Sequence, residues 1–194
     1  MIIDLLQRRV SARKFQNKPV PEEVIRDMLE AGRLSPSGGN EQPWMFGVIT
    51  DPGSIKDIAK LAQEQQWIAG APLLIVLCTV CVEDAKSGRD IQLQRYPKYA
   101  RAIASISQQL YWALNQEEHQ TKIAGAHIAL AALEHGVSTC WVSRFDVEEL
   151  AQFLNLPPNI LPSEILVCGY PESQPAPRDK KSLDALVFRN RFKG

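Results

Sequence analysis

The sequence predicts an α+β fold in three layers, with helices on both faces of a mixed sheet, and three observations carry that prediction. Four runs with strand character alternate with helical patterns along the chain. A long helical stretch in the middle, residues 123–133, is apolar on nearly every side and built from small residues, which marks a helix made for burial and close approach. The chain then leaves through a proline-containing segment, 171–177, into a basic tail. Residues 1–194 are therefore read as one domain, with 171–194 a tail extending toward a partner subunit. With 45% hydrophobic and 23% charged residues in 194, the chain can bury roughly 70% of its unfolded surface in a single core.

Each element follows in order. Residues 2–9 read as an opening helix whose apolar side is Ile2, Ile3, Leu5 and Leu6. Pro21 suits a first helical position, Glu22 and Glu23 complement the amino end of the helix dipole, and Val24, Ile25, Met28 and Leu29 recur at helical spacing until Pro36 stops the pattern. Residues 35–43 are almost all turn formers, and 44–50 then read as a strand. The turn Asp51-Pro52-Gly53-Ser54 leads into a helix at about 54–67 and a buried strand at 73–81. Residues 83–96 read as a polar loop, either a solvated surface loop or a substrate cover carrying Arg89, Arg95 and Tyr96. A helical pattern runs throughout 97–135, Gly136 caps it, and 137–143 (strand), 147–154 (helix) and 165–170 (strand) follow.

Several function classes are excluded at this level. The longest apolar run, 68–82, is too short to span a membrane and contains Pro72, while Asp4, Arg8 and Arg9 occupy the place of a secretion signal's apolar core, so a cytoplasmic protein is expected. Cys78 and Cys81 are three apart in a strand and point to opposite faces; with Cys140 and Cys168 they read as buried thiols, and His119, His127 and His135 share one helical pattern, so no metal site is expected. The sequence contains no G-x-G-x-x-G, phosphate-loop, G-x-S-x-G or H-E-x-x-H motif. Chemistry without such catalytic side chains points to a borrowed cofactor.

Charge is balanced overall but unevenly placed. Residues 5–21 carry +5, residues 178–194 carry +4, and the remaining residues carry −9. Two basic ends on an acidic body suggest a site for the phosphate of a small ligand rather than a nucleic-acid surface. Just past the first helix, Arg9, Ser11 and Arg13 sit at alternate positions of an extended segment, so two guanidinium forks and a hydroxyl share one side, either as exposed surface charges or as a site for a phosphate dianion. The loop residues Ser37, Gly38, Gly39, Asn40 and Gln42 form a second group: either a turn bonding its own backbone, or a close-approach surface whose amides match a ring edge alternating N–H and C=O.

Five segments occur together in order: Arg-Arg-Val-Ser-Ala-Arg-Lys-Phe at 8–15, Ser-Pro-Ser-Gly-Gly-Asn-Glu-Gln-Pro-Trp at 35–44, Ala-Pro at 71–72, the small-residue helix at 123–133, and Gly-Val-Ser-Thr-Cys-Trp-Val-Ser at 136–143. Their combination resembles the nitroreductase family of FMN-dependent oxidoreductases. The resemblance implies an intertwined homodimer with FMN at the subunit interface, and NADH or NADPH as electron donor. It places Arg9, Val10, Ser11 and Arg13 at the phosphate and ribityl side, with Arg13 also near the N1–C2 edge, and has Arg178 and Lys180 complete the phosphate site. By the same likeness Pro36, Ser37, Gly38, Asn40 and Gln42 approach the flavin from the partner. Val142, Ser143 and Arg144 run past the ring with a backbone N–H near N5, and Gln65 or Gln66 reaches the pyrimidine edge. Val10, Arg144 and Gln120 depart from the family's usual residues, which bears on substrate rather than cofactor. The expected activity is hydride transfer by ping-pong turnover to an electron-poor acceptor of nitroaromatic or quinone type. The alternatives are a non-catalytic flavin- or nucleotide-binding module, or another flavin reaction such as reductive dehalogenation.

Overall fold

A computed structural model describes residues 2–81, 89–114 and 118–192. Helix α1 (Ile2–Arg8) and helix α2 (Glu22–Arg33) open the chain. α2 starts after extended Pro21 with Glu22 and Glu23 in its first turn, and buries Val24, Ile25, Met28 and Gly32. Strand β1 (Trp44–Ile49), helix α3 (Pro52–Leu61) and strand β2 (Leu73–Val80) follow. Asp51 caps α3 by accepting the Ser54 backbone N–H. Helices α4 (Arg89–Arg95), α5 (Ala100–Ser105), α6 (Gln108–Ala113) and α7 (Glu118–Glu134) lead to strand β3 (Ser138–Val142), helix α8 (Val147–Phe153) and strand β4 (Ile160–Gly169).

The strands form one sheet in the order β1-β2-β4-β3. Because side chains alternate across a strand, each face collects its own core. Leu73, Ile75 and Leu77 of β2 and Leu166 and Cys168 of β4 pack with α2 and α7 through Val24, Ile25, Met28, Ile128 and Ala132. Leu74, Val76 and Cys78, with Ile165 and Val167, pack on the opposite face against Ile55 and Ile58 of α3 and Leu150 of α8. The three-layer α+β architecture is thus present within one chain. All three pairings among these strands are antiparallel, rather than mixed. Between β1 and β2 the chain does not return by a helix alone: after α3 it turns through Gln63 and Glu64, both at positive φ, and a short 3-10 segment, so adjacent strands oppose each other.

Four other expectations are corrected. The helix expected at 54–67 stops at Leu61, ahead of those positive-φ residues. The pattern over 97–135 breaks into a 3-10 turn and α5, α6 and α7, because Ile106 is extended and the Ser107 hydroxyl accepts the Leu110 N–H to start a new helix. Residues 89–95 of the expected polar loop are helical, whereas its 83–88 portion lies outside the described residues. Strand β4 begins five residues before Ile165, and Pro162 is admitted because the pairing slips there: Leu77 faces Glu164 while Cys78 faces Pro162. All four cysteines are free and buried, and burial pushes the Cys78 thiol up to about 12.

Helix α7 sits tightly between its neighbours at two glycines. At Gly32 of α2 an added Cβ would lie 2.8 Å from Ile128 of α7. At Gly125 of α7 it would fall inside van der Waals contact with Leu77 Cδ1 and 2.7 Å from Trp141 Cη2. Both are packed side chains on the sheet, so neither can yield freely. Gly125→Ala is therefore expected to destabilise the protein by about 1–3 kcal/mol through overpacking, despite the roughly 1 kcal/mol helix-propensity gain. Urea unfolding checks this: a lowered midpoint with unchanged slope is expected, and a raised midpoint would show that α7 does not press on the sheet there.

Candidate active site

The two basic ends of the chain meet because backbone pairing brings them alongside each other. The Gln16 N–H donates to Tyr170 O at 2.8 Å and the Glu172 N–H to Lys14 O at 3.2 Å, with Phe15 bridging Pro171 and Gln16 Nε2 donating to Pro171 O at 2.9 Å. From this clamp the tail runs on to Pro177, Arg178 and Lys180, which line one cavity with Arg9, Val10, Ser11 and Arg13. Its volume is about 730 Å³, within the range of small-ligand sites. Four cationic side chains and one hydroxyl face Ile3, Leu6, Val10 and Pro177, and among the described residues no acid lines the cavity. Ala12, at an intervening position, is buried in the core, as an extended segment with one face inward requires.

The cavity backs onto β3. The Arg13 guanidinium lies over the Trp67 ring at 5.6 Å. Cys140 of β3 has its thiol pushed up by burial, an effect opposed by the nearby Arg13 and Ser11 and by the charge of Arg9. From the same side Gln65 Nε2 donates to Ala62 O at 2.9 Å and Arg144 O at 3.4 Å, whereas Gln66 turns away to Glu64 Oε2 at 2.6 Å. Val142, Ser143 and Arg144 do not line the cavity itself. They lie where β3 ends, joined to Arg13 through Gln65 and Trp67. Val142 is buried, whereas Ser143 and Arg144 are exposed.

The loop over 36–42 stands apart from the cavity within one chain. Pro36, Gly38, Asn40 and Gln42 are exposed and Ser37 is half-buried. Its own backbone absorbs part of its polarity: the Ser37 hydroxyl accepts the Gln42 N–H at 2.9 Å, and Gln42 Nε2 donates to Asn40 O at 3.3 Å. Gly39, Asn40 and Gln42 all have positive φ, which holds the loop in a tight fold. Anchors come from α7. Gln120 Oε1 accepts the Gly38 N–H at 2.7 Å, the Thr121 hydroxyl donates to Pro43 O at 3.3 Å, and His127 Nδ1 is 2.6 Å from the Ser35 hydroxyl.

Arg89 is committed to structure. Its guanidinium donates to Ile106 O at 2.8 Å and Gln108 Oε1 at 3.2 Å and lies over the Tyr111 ring, bracing the α5–α6 junction rather than facing the cavity. Sequence reasoning missed a polar group on the α7 side of the sheet. The Thr79 hydroxyl is 2.7 Å from both Thr121 and Ser163, and Glu164 accepts the Ser143 hydroxyl at 2.7 Å while pairing with Lys122 at 3.1 Å. One signal was available: Glu164 is the single charged residue between Glu149 and Glu172.

Known proteins resemble this chain over most of its length. The chain is 30% identical to iodotyrosine deiodinase 1 of Sus scrofa, over 95% of this chain and 66% of that protein. It is 24% identical to the FMN reductase [NAD(P)H] of Bacillus subtilis, over 98% of this chain and 74% of that protein. A solved structure from Bacteroides thetaiotaomicron, assigned as an NADH dehydrogenase/NAD(P)H nitroreductase, matches with a TM-score of 0.75 at 25% identity, covering 98% of each chain. A family model described as the nitroreductase family matches residues 6–170, a span that takes in the arginine segment, the loop, the sheet and α7 alike, and the chain belongs to that family.

Proposed function

We propose that the cationic cavity holds FMN by its phosphate, and that the protein is an FMN-dependent oxidoreductase drawing electrons from NADH or NADPH. The observation that carries this reading is the convergence of Arg9, Ser11, Arg13, Arg178 and Lys180, from both ends of the chain, on one cavity with no acid among its described residues. Such a donor set fits a dianion, because arginine forks give paired charge-assisted hydrogen bonds and serine adds a neutral donor. The apolar lining of Ile3, Leu6 and Val10 suits the less polar remainder of the molecule.

When bound, FMN supplies a ring that takes hydride from the nicotinamide and returns it to an acceptor in ping-pong order. The chain's residues hold and tune that ring. Arg13, set by its stacking on Trp67, places a cation where negative charge develops. The 142–144 segment, fixed by Gln65 at Arg144 O, offers backbone donors at the other edge. Pro36, Ser37, Gly38, Asn40 and Gln42, remote from the cavity of their own chain, approach the cavity of a second copy. Ile2, Ile3 and Leu6 of α1 and Leu183, Leu186, Val187, Phe188 and Phe192 of the tail are all largely exposed in the single chain, and a homodimer covers them. The acceptor is an electron-poor compound of nitroaromatic or quinone type. The likeness to a deiodinase favours aryl halides as the second class to test.

Purified protein is expected to be yellow, to bleach anaerobically on adding NADH or NADPH, and to recover its colour with a nitroaromatic or quinone. A yellow protein inert to both nicotinamides would instead be a binding module, and a colourless one that cannot be reconstituted would contradict the proposal. Arg13→Ala and Arg178→Ala should each raise the FMN dissociation constant about 10- to 100-fold, the loss of one charge-assisted interaction. Fluorescence titration checks this, and unchanged binding in both variants would remove the phosphate site from the cavity. Sedimentation should give twice the 21.7 kDa chain mass, and a monomer would contradict the shared site.

A further inference from the structure

Glu164 and Lys122 form a charge pair that the site described above does not use. The Glu164 side chain is only 4% exposed, on β4, and faces the α7 side of the sheet. Its Oε1 pairs with Lys122 Nζ at 3.1 Å, and Lys122 is 42% exposed. Its Oε2 accepts the Ser143 hydroxyl at 2.7 Å. Around it Leu77 and Leu166 are fully buried, and Thr79, Thr121 and Ser163 satisfy one another. A carboxylate this buried is costly to desolvate, and pairing it with a half-exposed lysine adds little stability over apolar residues of the same shape. Stability alone therefore gives no reason for a carboxylate here, in a strand whose other residues carry no charge.

Its placement gives one. Ser143 is exposed at the end of β3, in the segment that the proposed function lays along the cofactor ring, and the carboxylate stands one hydrogen bond behind it. In so buried a position the carboxylate acts over several ångströms with little screening, and the half-exposed ammonium beside it is screened more. We infer that the Lys122–Glu164 pair, acting through and beside Ser143, sets the reduction potential of the bound cofactor: Glu164 resists and Lys122 favours the negative charge that reduction adds. The inference rests on the FMN reading above. Both act through Ser143 rather than on the cofactor directly; they are positioning residues whose charges bear on the ring in opposite directions.

The test is the midpoint potential of the FMN-loaded protein, by anaerobic dye titration, after FMN content and affinity have been measured for each variant. Glu164→Gln keeps the shape and removes the negative charge, so its potential should rise. Lys122→Met leaves the carboxylate uncompensated, so its potential should fall. Each shift should reach at least tenfold in the equilibrium constant for two-electron reduction, about 30 mV. The double variant should return toward the parent value, and Lys122→Arg should keep it. Potentials within twofold of the parent, or shifts of the same sign in both single variants, would overturn the inference, since simple loosening of the fold has no reason to move them oppositely. If Glu164→Gln does not fold, the contrast between Lys122→Met and Lys122→Arg, at a half-exposed side chain, decides. A parent that binds no FMN would overturn the functional reading and this inference with it. Full FMN binding with unmoved potentials would overturn the inference alone.

Discussion

Helix α7 lies so close to the sheet that Gly125 leaves no room for a methyl group above Leu77 and Trp141, and much of the site depends on that closeness. The helix is apolar for most of its described length, burying Ala124, Ile128, Ala129 and Ala132, yet its earlier turns carry Gln120, Thr121 and Lys122 in succession. Each of these reaches a different piece of backbone or side chain: Gln120 the Gly38 amide, Thr121 the Pro43 carbonyl and Thr79, Lys122 the carboxylate behind Ser143. Hydrogen bonds of 2.7–3.3 Å need the helix axis held in place, and the glycine contact holds it. One buried helix thus fixes both the 35–43 loop and the end of β3, two segments that no sequence proximity connects.

The second organising constraint is electrostatic. Two basic ends repel each other, and an acidic body does not by itself bring them to one point. The short ladder between 14–16 and 170–172 does so with backbone hydrogen bonds that no salt screens. The resulting concentration of four cations is unfavourable until an anion enters, which is the expected signature of a site shaped for a ligand rather than for stability.

Much of this was legible in the sequence, for identifiable reasons. Alternation in the 9–13 segment grouped Arg9, Ser11 and Arg13 and turned Ala12 inward, although Val10 lines the same cavity, and the charge map showed that both ends are basic. Their meeting needed the pairing of Phe15 with Pro171, which no local pattern signals. The 97–135 region looked continuous because its periodicity is helical everywhere; the break at Ile106 and the Ser107 cap is two residues of extended backbone. Arg89 looked available because charge in a polar stretch reads as exposed, whereas its partners are carbonyls at the end of α5. Glu164 was hidden because Pro162 and two polar residues made the start of β4 look like loop, and the slipped register that admits Pro162 is a property of the pairing with β2. Strand ends of this kind, where local rules are broken without loss of fold, are where functional residues collect.

The central claim is that both ends of the chain grip a phosphate. Binding of FMN compared with riboflavin, which differ by that phosphate alone, tests it most directly. Fluorescence titration of flavin-free protein should give FMN a dissociation constant at least a hundredfold below that of riboflavin, with the difference shrinking as salt rises. Equal affinities for the two flavins at low salt would contradict the account, because the cationic cavity would then contribute nothing that its lining was assembled to give.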